Sequence, residues 1–427
     1  MNEKNTGVFR VEGKTKVVES YPGRENCVSL FSKDDLTAGD GKKHDVLEGK
    51  GRLANQTTCN VFRLSKNCDL PVAFMEQSGD NEFIAEKCDM IHYEVVVRRE
   101  NHGSSAKRHP EISKGHLFPK LKLEFFLKTS GKEWQNHELP VDDPLVVFEG
   151  GRALLYRPDQ PIHQQKPFLI LDDFPLKDNS KEIERIGQIA LKNFLVLEKA
   201  WQILDRRLVD LKVEFGHNTN GELRLADVID NDSWRVLENG LYIDKQMYRD
   251  GADLNQVKEK YRLVAELTGK FSLPRQQIIL WRGSDTDALE PFYKALNEYK
   301  TPGICAVQPV TLSAHKQPMQ VCEKADQLVQ EYPDSVILAY VGRSNGLGAV
   351  LAAHVSVPVI SVSSTWKDCP QDVWSSLHMP SSVPVATILD PKNAVIYALQ
   401  ILAMRNPAIY AELRIRREER LCNYAKI

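Results

Sequence analysis

The sequence predicts an α+β unit followed by an α/β unit built on a doubly wound parallel sheet. Three observations carry this. The 427-residue length suits two or three domains of about 100–200 residues each. The first 100 residues are rich in short strand-like runs, among them VFRVEG, TKVVESY, CVSLFS and IHYEVVVRR. Beyond residue 275 the pattern changes to strongly apolar runs, QIILW, ICAVQPV, VILAYV, PVISVS and VATIL, with helical stretches at 286–299, 317–331, 346–354 and 371–378 between them. Buried strands alternating with helices indicate a parallel sheet covered on both faces.

In chain order, EGKGRLANQTTCNVFRLSKN interrupts the early strands with helical spacing at Leu53, Thr57, Val61 and Leu64. The stretch 129–182 reads as irregular, and a helix follows at about 180–205 with Ile183, Ile186, Ile189, Ala190, Phe194 and Leu197 on one side. LVDLKVEFGHNTNGELRLADVIDNDSW (208–234) reads as a hairpin. Asn220-Gly221 is the signal for a two-residue type I′ turn, in which facing residues sum to 441. That register sets Glu214 opposite Asp227, two like charges that repel unless a cation lies between them. The alternative is a solvated edge, with the neighbouring Asp230 and Asp232 solvated or capping turns. A helix at 253–268 starts on Asp253 as N-cap and ends before Gly269 and Pro274. The domain border falls in 262–275, between domains at 1–262 and 270–427. The helical tail 391–424 carries more apolar residues than one small domain needs, which suits association between subunits.

Apolar residues make up 42% and charged residues 27%, with net charge −2 and pI near 6.6. Bulk charge therefore gives no support for a nucleic-acid or membrane-surface binder. The eight cysteines are scattered, without CxxC pairs or zinc spacing. The start has no apolar signal core, and no apolar run reaches the 18–20 residues of a bilayer span. The expectation is a reduced, cytoplasmic protein.

Four motifs carry chemistry. EGKTK (12–16) is a Gly-led basic turn, not the GxxxxGK[ST] loop, and Lys14 and Lys16 either neutralise phosphates there or decorate a surface hairpin. Along LVDLKVEF, Asp210, Lys212 and Glu214 share one face. SAHKQP sets His315 and Lys316 at a strand end, where a histidine either moves protons or packs locally. GRSNGLG (342–348) is a glycine-rich turn between strand and helix, able to cradle an anion through its N–H groups, with Arg343, Ser344 and Asn345 beside them.

Taken with SKDDLTAGDGKKHDVLEGKG, LADVIDNDSWR, DKQMYRD and QDVWSSLHMPS, this ordered set resembles the animal bifunctional family of de novo purine synthesis, which joins SAICAR synthetase to AIR carboxylase. The resemblance implies a two-lobed, ATP-binding SAICAR-synthetase-like domain followed by a flavodoxin/Rossmann-like carboxylase domain. In the first, ATP activates a carboxylated imidazole ribotide and L-aspartate attacks to give an amide. The match puts phosphate contacts on Lys14 and Lys16, Mg²⁺ on Glu214 and Asp227, Met90 in the adenine hinge and Lys212 near the nucleotide with a part in catalysis. Arg98, Ser104 and Arg235 match the positions that hold the ribotide. In the second domain, aminoimidazole ribotide is carboxylated by CO₂ without biotin or ATP. His315 matches the proton-handling histidine and Ser344 the CO₂-side serine. Arg343 flanks them, and Ser284, Asp287, Ser313 and Lys316 match ribotide-binding positions. The family is a homo-octamer.

This chain departs from the family pattern at Glu100, Trp281, Arg282 and Gln317, and an acidic Asp-Pro element expected after FFLK is missing or displaced into 129–182, where Asp142-Asp143-Pro144 stands. Because these departures cluster near ligand positions, they carry a second reading, a partly or wholly degraded paralogue that binds nucleotide or co-assembles without catalysis.

Overall fold

The computed structural model describes residues 9–38, 43–129, 131–172 and 179–424. Residues 39–42 of the motif at 32–51 and 173–178 of the stretch 129–182 lie outside them. The chain divides into two compact units, the first taking in the residues up to Ser272 and again those from Arg420, the second running Leu273–Glu419.

Among the described residues the first unit holds two large antiparallel sheets and two two-stranded ribbons, Asp35–Ala38 with Lys43–Val46 and Glu133–Trp134 with His137–Glu138. A five-stranded sheet runs in the order Arg10–Glu12, Lys16–Ser20, Cys27–Ser32, Glu82–Glu86, Phe74–Gln77. The helix Lys50–Asn67 covers it, burying Leu53, Thr57, Val61 and Leu64 as their spacing requires. Phe62 of this helix packs 5.9 Å from Phe74 and 6.4 Å from Phe83, ring centre to ring centre. Each such buried ring contributes roughly 1.5–3 kcal/mol.

The larger sheet centres on the long strands Leu117–Leu127, Cys88–Glu100 and Arg207–Asn218. The helix Asn179–Ile203 lies across it with Ile186, Ala190, Phe194 and Leu197 fully buried. The helix Leu254–Thr268 begins as its N-cap predicts: the Asp253 carboxylate accepts the Asn255 N–H at 2.9 Å.

Two expectations for this unit are overturned. The stretch 129–182 is not irregular: Leu145–Glu149, Arg152–Tyr156 and Leu169–Leu171 extend the large sheet beyond Leu117–Leu127. The hairpin turn also differs. Glu214 pairs with Ala226, Phe215 with Leu225 and His217 with Leu223, so facing residues sum to 440. Asn218 N–H donates to the Glu222 carbonyl at 3.0 Å, closing a three-residue loop with only Gly221 in the left-handed region, at φ 77°. Side-chain direction explains the shift. A one-residue slip moves a strand's side chains to the opposite face, and only this register sets Leu225 against Phe215 within the core.

The second unit has a five-stranded, wholly parallel sheet in the order Ala306–Thr311, Gln276–Arg282, Asp334–Val341, Val359–Ser363, Ala386–Thr387. In chain order this is 2-1-3-4-5, the flavodoxin-like arrangement. Alternate residues feed opposite layers: Ile278 and Leu280 pack with Phe292, Leu296, Ala398 and Leu399, while Ile279 and Trp281 pack with Val321, Ala325 and Leu351. The tail's apolar residues are shared out, with Tyr397 and Met404 left exposed. Ala394, Val395, Ala398, Leu399 and Leu402 of the helix Pro391–Leu402 are consumed by this unit's own core.

Candidate active sites

In the first unit a cleft of about 1660 Å³ opens between the two sheets. Its apolar wall includes Val18, Val28, Leu30, Met90 and Ile91, and its charged end holds Lys16, Lys128, Glu214 and Asp227. Glu214 is 5% exposed. Lys128 Nζ lies 2.6 Å from one of its oxygens, and Lys212 Nζ lies 3.3 Å from the other and 2.7 Å from Glu94. Burial alone would raise the Glu214 carboxyl, but Lys212, Lys128 and Lys16 overcome it and hold it at about 2. Lys16 is brought down to about 8 by burial, against the pull of Glu214. For Lys212 burial works downward, yet Glu94 and Glu214 raise it overall.

Asp227 is not directly opposite Glu214, which faces Ala226. It reaches the same charged end by another route. It follows the strand Leu223–Ala226 with φ at 63°, a left-handed conformation that aspartate tolerates, and its carboxylate is ion-paired with Lys16. Two carboxylates converging on an open cleft are a donor set that fits a hard divalent cation. Lys14 is exposed on the turn beside Lys16 and is absent from the cleft wall. Of the two roles expected for Asp230 and Asp232, solvated or capping turns, Asp230 takes the second, accepting the Asp232 N–H at 2.9 Å. Asp230 is 5% exposed, and Asp232 accepts from Lys245 Nζ at 2.6 Å and Tyr261 Oη at 2.7 Å.

A second cluster lies on the same large sheet. Arg98, 3% exposed, donates to Asp210 at 2.8 Å, to Glu124 at 2.6 Å and to Ser104 Oγ at 3.2 Å. Arg235 donates to the same Asp210 oxygen at 2.7 Å. The three residues matched to the ribotide are thus tied into one network. Glu100 does not leave an uncompensated negative charge there: its oxygens lie 2.8 Å from Arg207 Nε and 3.2 Å from His102 Nε2. Asp142-Asp143-Pro144 lies at the end of the strand Leu117–Leu127, where Thr129 N–H donates to Asp143 at 2.9 Å and Leu127 N–H to the Pro144 carbonyl at 3.0 Å.

In the second unit the motifs gather at the carboxyl edge of the parallel sheet, where such folds bind ligands. His315 lies against the glycine turn: a Cβ built on Gly346 would stand 2.5 Å from its Nε2. Ser344 sits in the same turn at φ 59°, its N–H donating to both Asp372 oxygens at 2.9 Å. Asn345 caps the helix Gly346–His354 by accepting the Gly348 N–H at 2.8 Å and donates to Ser361 and Ser376 at 2.8 and 3.0 Å. Asp287 accepts from Ser364 Oγ at 3.1 Å. Ser284, Lys316 and Arg343 are exposed and Ser313 half-buried on the loops that follow the strands.

The departures in these loops are absorbed structurally. Trp281 points into the core, fully buried, and its indole N–H donates to the Leu312 carbonyl at 3.0 Å, bracing the loop that carries His315. Arg282 donates to the Asp285 and Asp287 carbonyls at 3.1 and 2.9 Å, holding the loop 283–287 in shape. Gln317 precedes the helix Pro318–Glu331 without intruding on the turn, its N–H donating to the Ser313 carbonyl at 2.8 Å.

Comparison with known proteins matches residues 10–139 and 156–267 to the SAICAR synthetase family model and residues 277–421 to the AIR carboxylase model, and Asp142-Asp143-Pro144 falls outside the matched residues. The chain is 35% identical to the probable multifunctional protein ADE2 of Caenorhabditis elegans over 94% of this chain and 91% of that one. It belongs to the bifunctional AIR carboxylase/SAICAR synthetase family. The Drosophila melanogaster bifunctional phosphoribosylaminoimidazole carboxylase/phosphoribosylaminoimidazole succinocarboxamide synthetase is 34% identical over 96% of this chain and 92% of that one. A phosphoribosylaminoimidazole-succinocarboxamide synthase of Chloroflexus aurantiacus is 38% identical over 62% of this chain and 97% of its own.

Sequence reasoning named Asp210 on the face it shares with Lys212 and Glu214, but missed Lys128, Glu94 and Glu124 of the SAICAR synthetase half, and Asp372 and Ser364 of the AIR carboxylase half. The lysine of FFLK was visible as a polar residue at the end of an apolar strand. Asp372 stood in the motif QDVWSSLHMPS without a role and Ser364 had no local signal, since only the fold brings them to the glycine turn and the 283–287 loop.

Proposed function

We propose that this protein carboxylates phosphoribosylaminoimidazole with CO₂ and then condenses the product with L-aspartate, using ATP, to form phosphoribosylaminoimidazole-succinocarboxamide. The observation that supports this best is that one chain of this family keeps both charged constellations: Lys16, Glu214 and Asp227 at the end of an apolar cleft, and His315 against the Gly346 turn. The substitutions that suggested a degraded paralogue are compensated by Arg207, Leu312 and the 283–287 loop, so no observation favours that reading.

In the ligase half, the apolar wall around Met90 takes the adenine, and Lys16, with Lys14 from the exposed turn beside it, neutralises the phosphates. Glu214 and Asp227 would hold Mg²⁺, which when bound offsets phosphate charge. Lys212, fixed between Glu94 and Glu214, positions the reacting groups. Arg98, Ser104 and Arg235 hold the ribotide. Its carboxylate takes a phosphoryl group, and the aspartate amine then displaces phosphate to leave an amide. In the carboxylase half the ring carbon attacks CO₂ and His315 removes the ring proton. Ser344 and Arg343 flank the new carboxylate, and Ser284, Asp287, Ser313 and Lys316 orient the ribotide. No biotin takes part. We assign the halves to 1–262 and 270–427 and place the enzyme in the cytoplasm as a homo-octamer. Among the described residues no helix is long and apolar enough to cross a membrane.

Both half-reactions are measured on the purified protein. His315→Ala should abolish only carboxylation and Glu214→Ala only ligation. Failure of the parent to convert either ribotide, where a relative turns over, overturns the assignment.

A further inference from the structure

Beside the Arg98–Ser104–Arg235 network lies a second, buried chain of polar groups that the ligase reading does not use. His102 is 6% exposed, and both ring nitrogens are engaged: Nδ1 lies 2.6 Å from Tyr242 Oη and Nε2 3.2 Å from Glu100. Glu100, 2% exposed, is neutralised by Arg207 at 2.8 Å. The His102 and Tyr242 rings also meet edge-on at 5.9 Å, and Lys114 Nζ stands 5.9 Å above the Tyr242 ring.

What this chain holds is the segment next to it. Gly103 adopts φ 56°, and a Cβ there would run into the Arg235 guanidinium. Ser104 follows at once and accepts from Arg98. The imidazole is therefore pinned on both nitrogens one residue before the point where the backbone presses on Arg235 and two before Ser104. The two ends of the pin come from separate parts of the sheet, Glu100 from the strand Cys88–Glu100 and Tyr242 from the strand Leu241–Tyr242.

We propose that Glu100, His102 and Tyr242 are positioning residues that fix Gly103–Ser104 against Arg98 and Arg235 and so set the affinity of the ligase half for its phosphorylated ribotide. This rests on the reading that Arg98, Ser104 and Arg235 take that ligand. The physical reason is preorganisation: a loop already held in its bound form loses less freedom when the anion arrives.

Tyr242→Phe removes one hydroxyl and keeps the ring. It should raise KM for the carboxylated ribotide roughly tenfold, the worth of one buried hydrogen bond. KM for ATP, ligase kcat at saturating ribotide and the carboxylase rate should stay within twofold. His102→Ala should have a similar effect, and the double variant should be no worse than the more affected single one, because both changes break the same bond. An unchanged ribotide KM in both single variants, equal losses in ATP KM and kcat, or multiplying effects in the double variant overturn the proposal. Arg235→Ala serves as the reference. If it too leaves ribotide KM unmoved, the ligand assignment itself has failed; if it raises KM while Tyr242→Phe and His102→Ala do not, only the positioning role has.

Discussion

Gly346→Ala tests the carboxylase site with a single methyl group. Gly346 opens the helix Gly346–His354 with an ordinary helical backbone, so alanine is conformationally acceptable there. The new Cβ would lie 2.5 Å from His315 Nε2 and 3.0 Å from Cδ2 and Cε1, whereas ordinary contact lies at 3.4–4 Å. The imidazole must therefore retreat by about 1 Å, a displacement that costs on the order of 100-fold when it moves a reacting group. His315 is exposed, so the ring can swing aside and the fold should lose less than about 1 kcal/mol. The assay is the initial rate of CO₂-dependent carboxylation of aminoimidazole ribotide, with ATP- and aspartate-dependent ligation measured on the same preparation. Carboxylation should drop about 100-fold while ligation and the thermal midpoint hold. A folded variant that carboxylates within threefold of the parent would refute the claim that His315 acts from its place against the glycine turn.

Two pH dependences test the ligase half. Lys16, brought down to about 8 chiefly by burial, loses its charge above that pH in the free enzyme. The profile of kcat/KM for ATP should therefore fall above about pH 8, and Lys16→Arg should move the fall to higher pH. Glu214 and Glu124 stay ionised despite burial, held at about 2 by their lysine and arginine neighbours. A folded pKa below the unfolded value means stability that is present above about pH 4.5 and lost as pH falls toward 2, worth up to about 3 kcal/mol for each group. Urea midpoints at pH 5 and pH 2.5 check this, and equal midpoints would contradict it.

The sequence by itself determined whatever periodicity or turn chemistry encodes locally. The helix at Leu254–Thr268 with its Asp253 cap, the five apolar runs of the parallel sheet and the strand-end loops carrying His315 and Ser344 all follow from side-chain type and spacing. The ordered motifs were enough to indicate the family. The stretch 129–182 was misread because its strands are short and gain their stability only as additions to an existing sheet edge.

Only the tertiary structure decided the matters that depend on what faces what. Thr219-Asn220-Gly221 is compatible with a two- or a three-residue loop, since each takes a left-handed glycine as its last residue. The choice fell to burial of Leu225 against Phe215 and to Asn218, whose Oδ1 accepts the N–H groups of Asn220 and Glu222 at 3.0 and 2.9 Å. Glu100 and Trp281 looked disruptive as isolated letters. Arg207 stands 107 positions from the first and Leu312 31 positions from the second, and those partners leave neither the charge nor the indole N–H unpaired. A charge or a large ring has no fixed effect until its neighbours are known, because desolvation and pairing are of similar size and opposite sign. Which of them prevails is set by the fold.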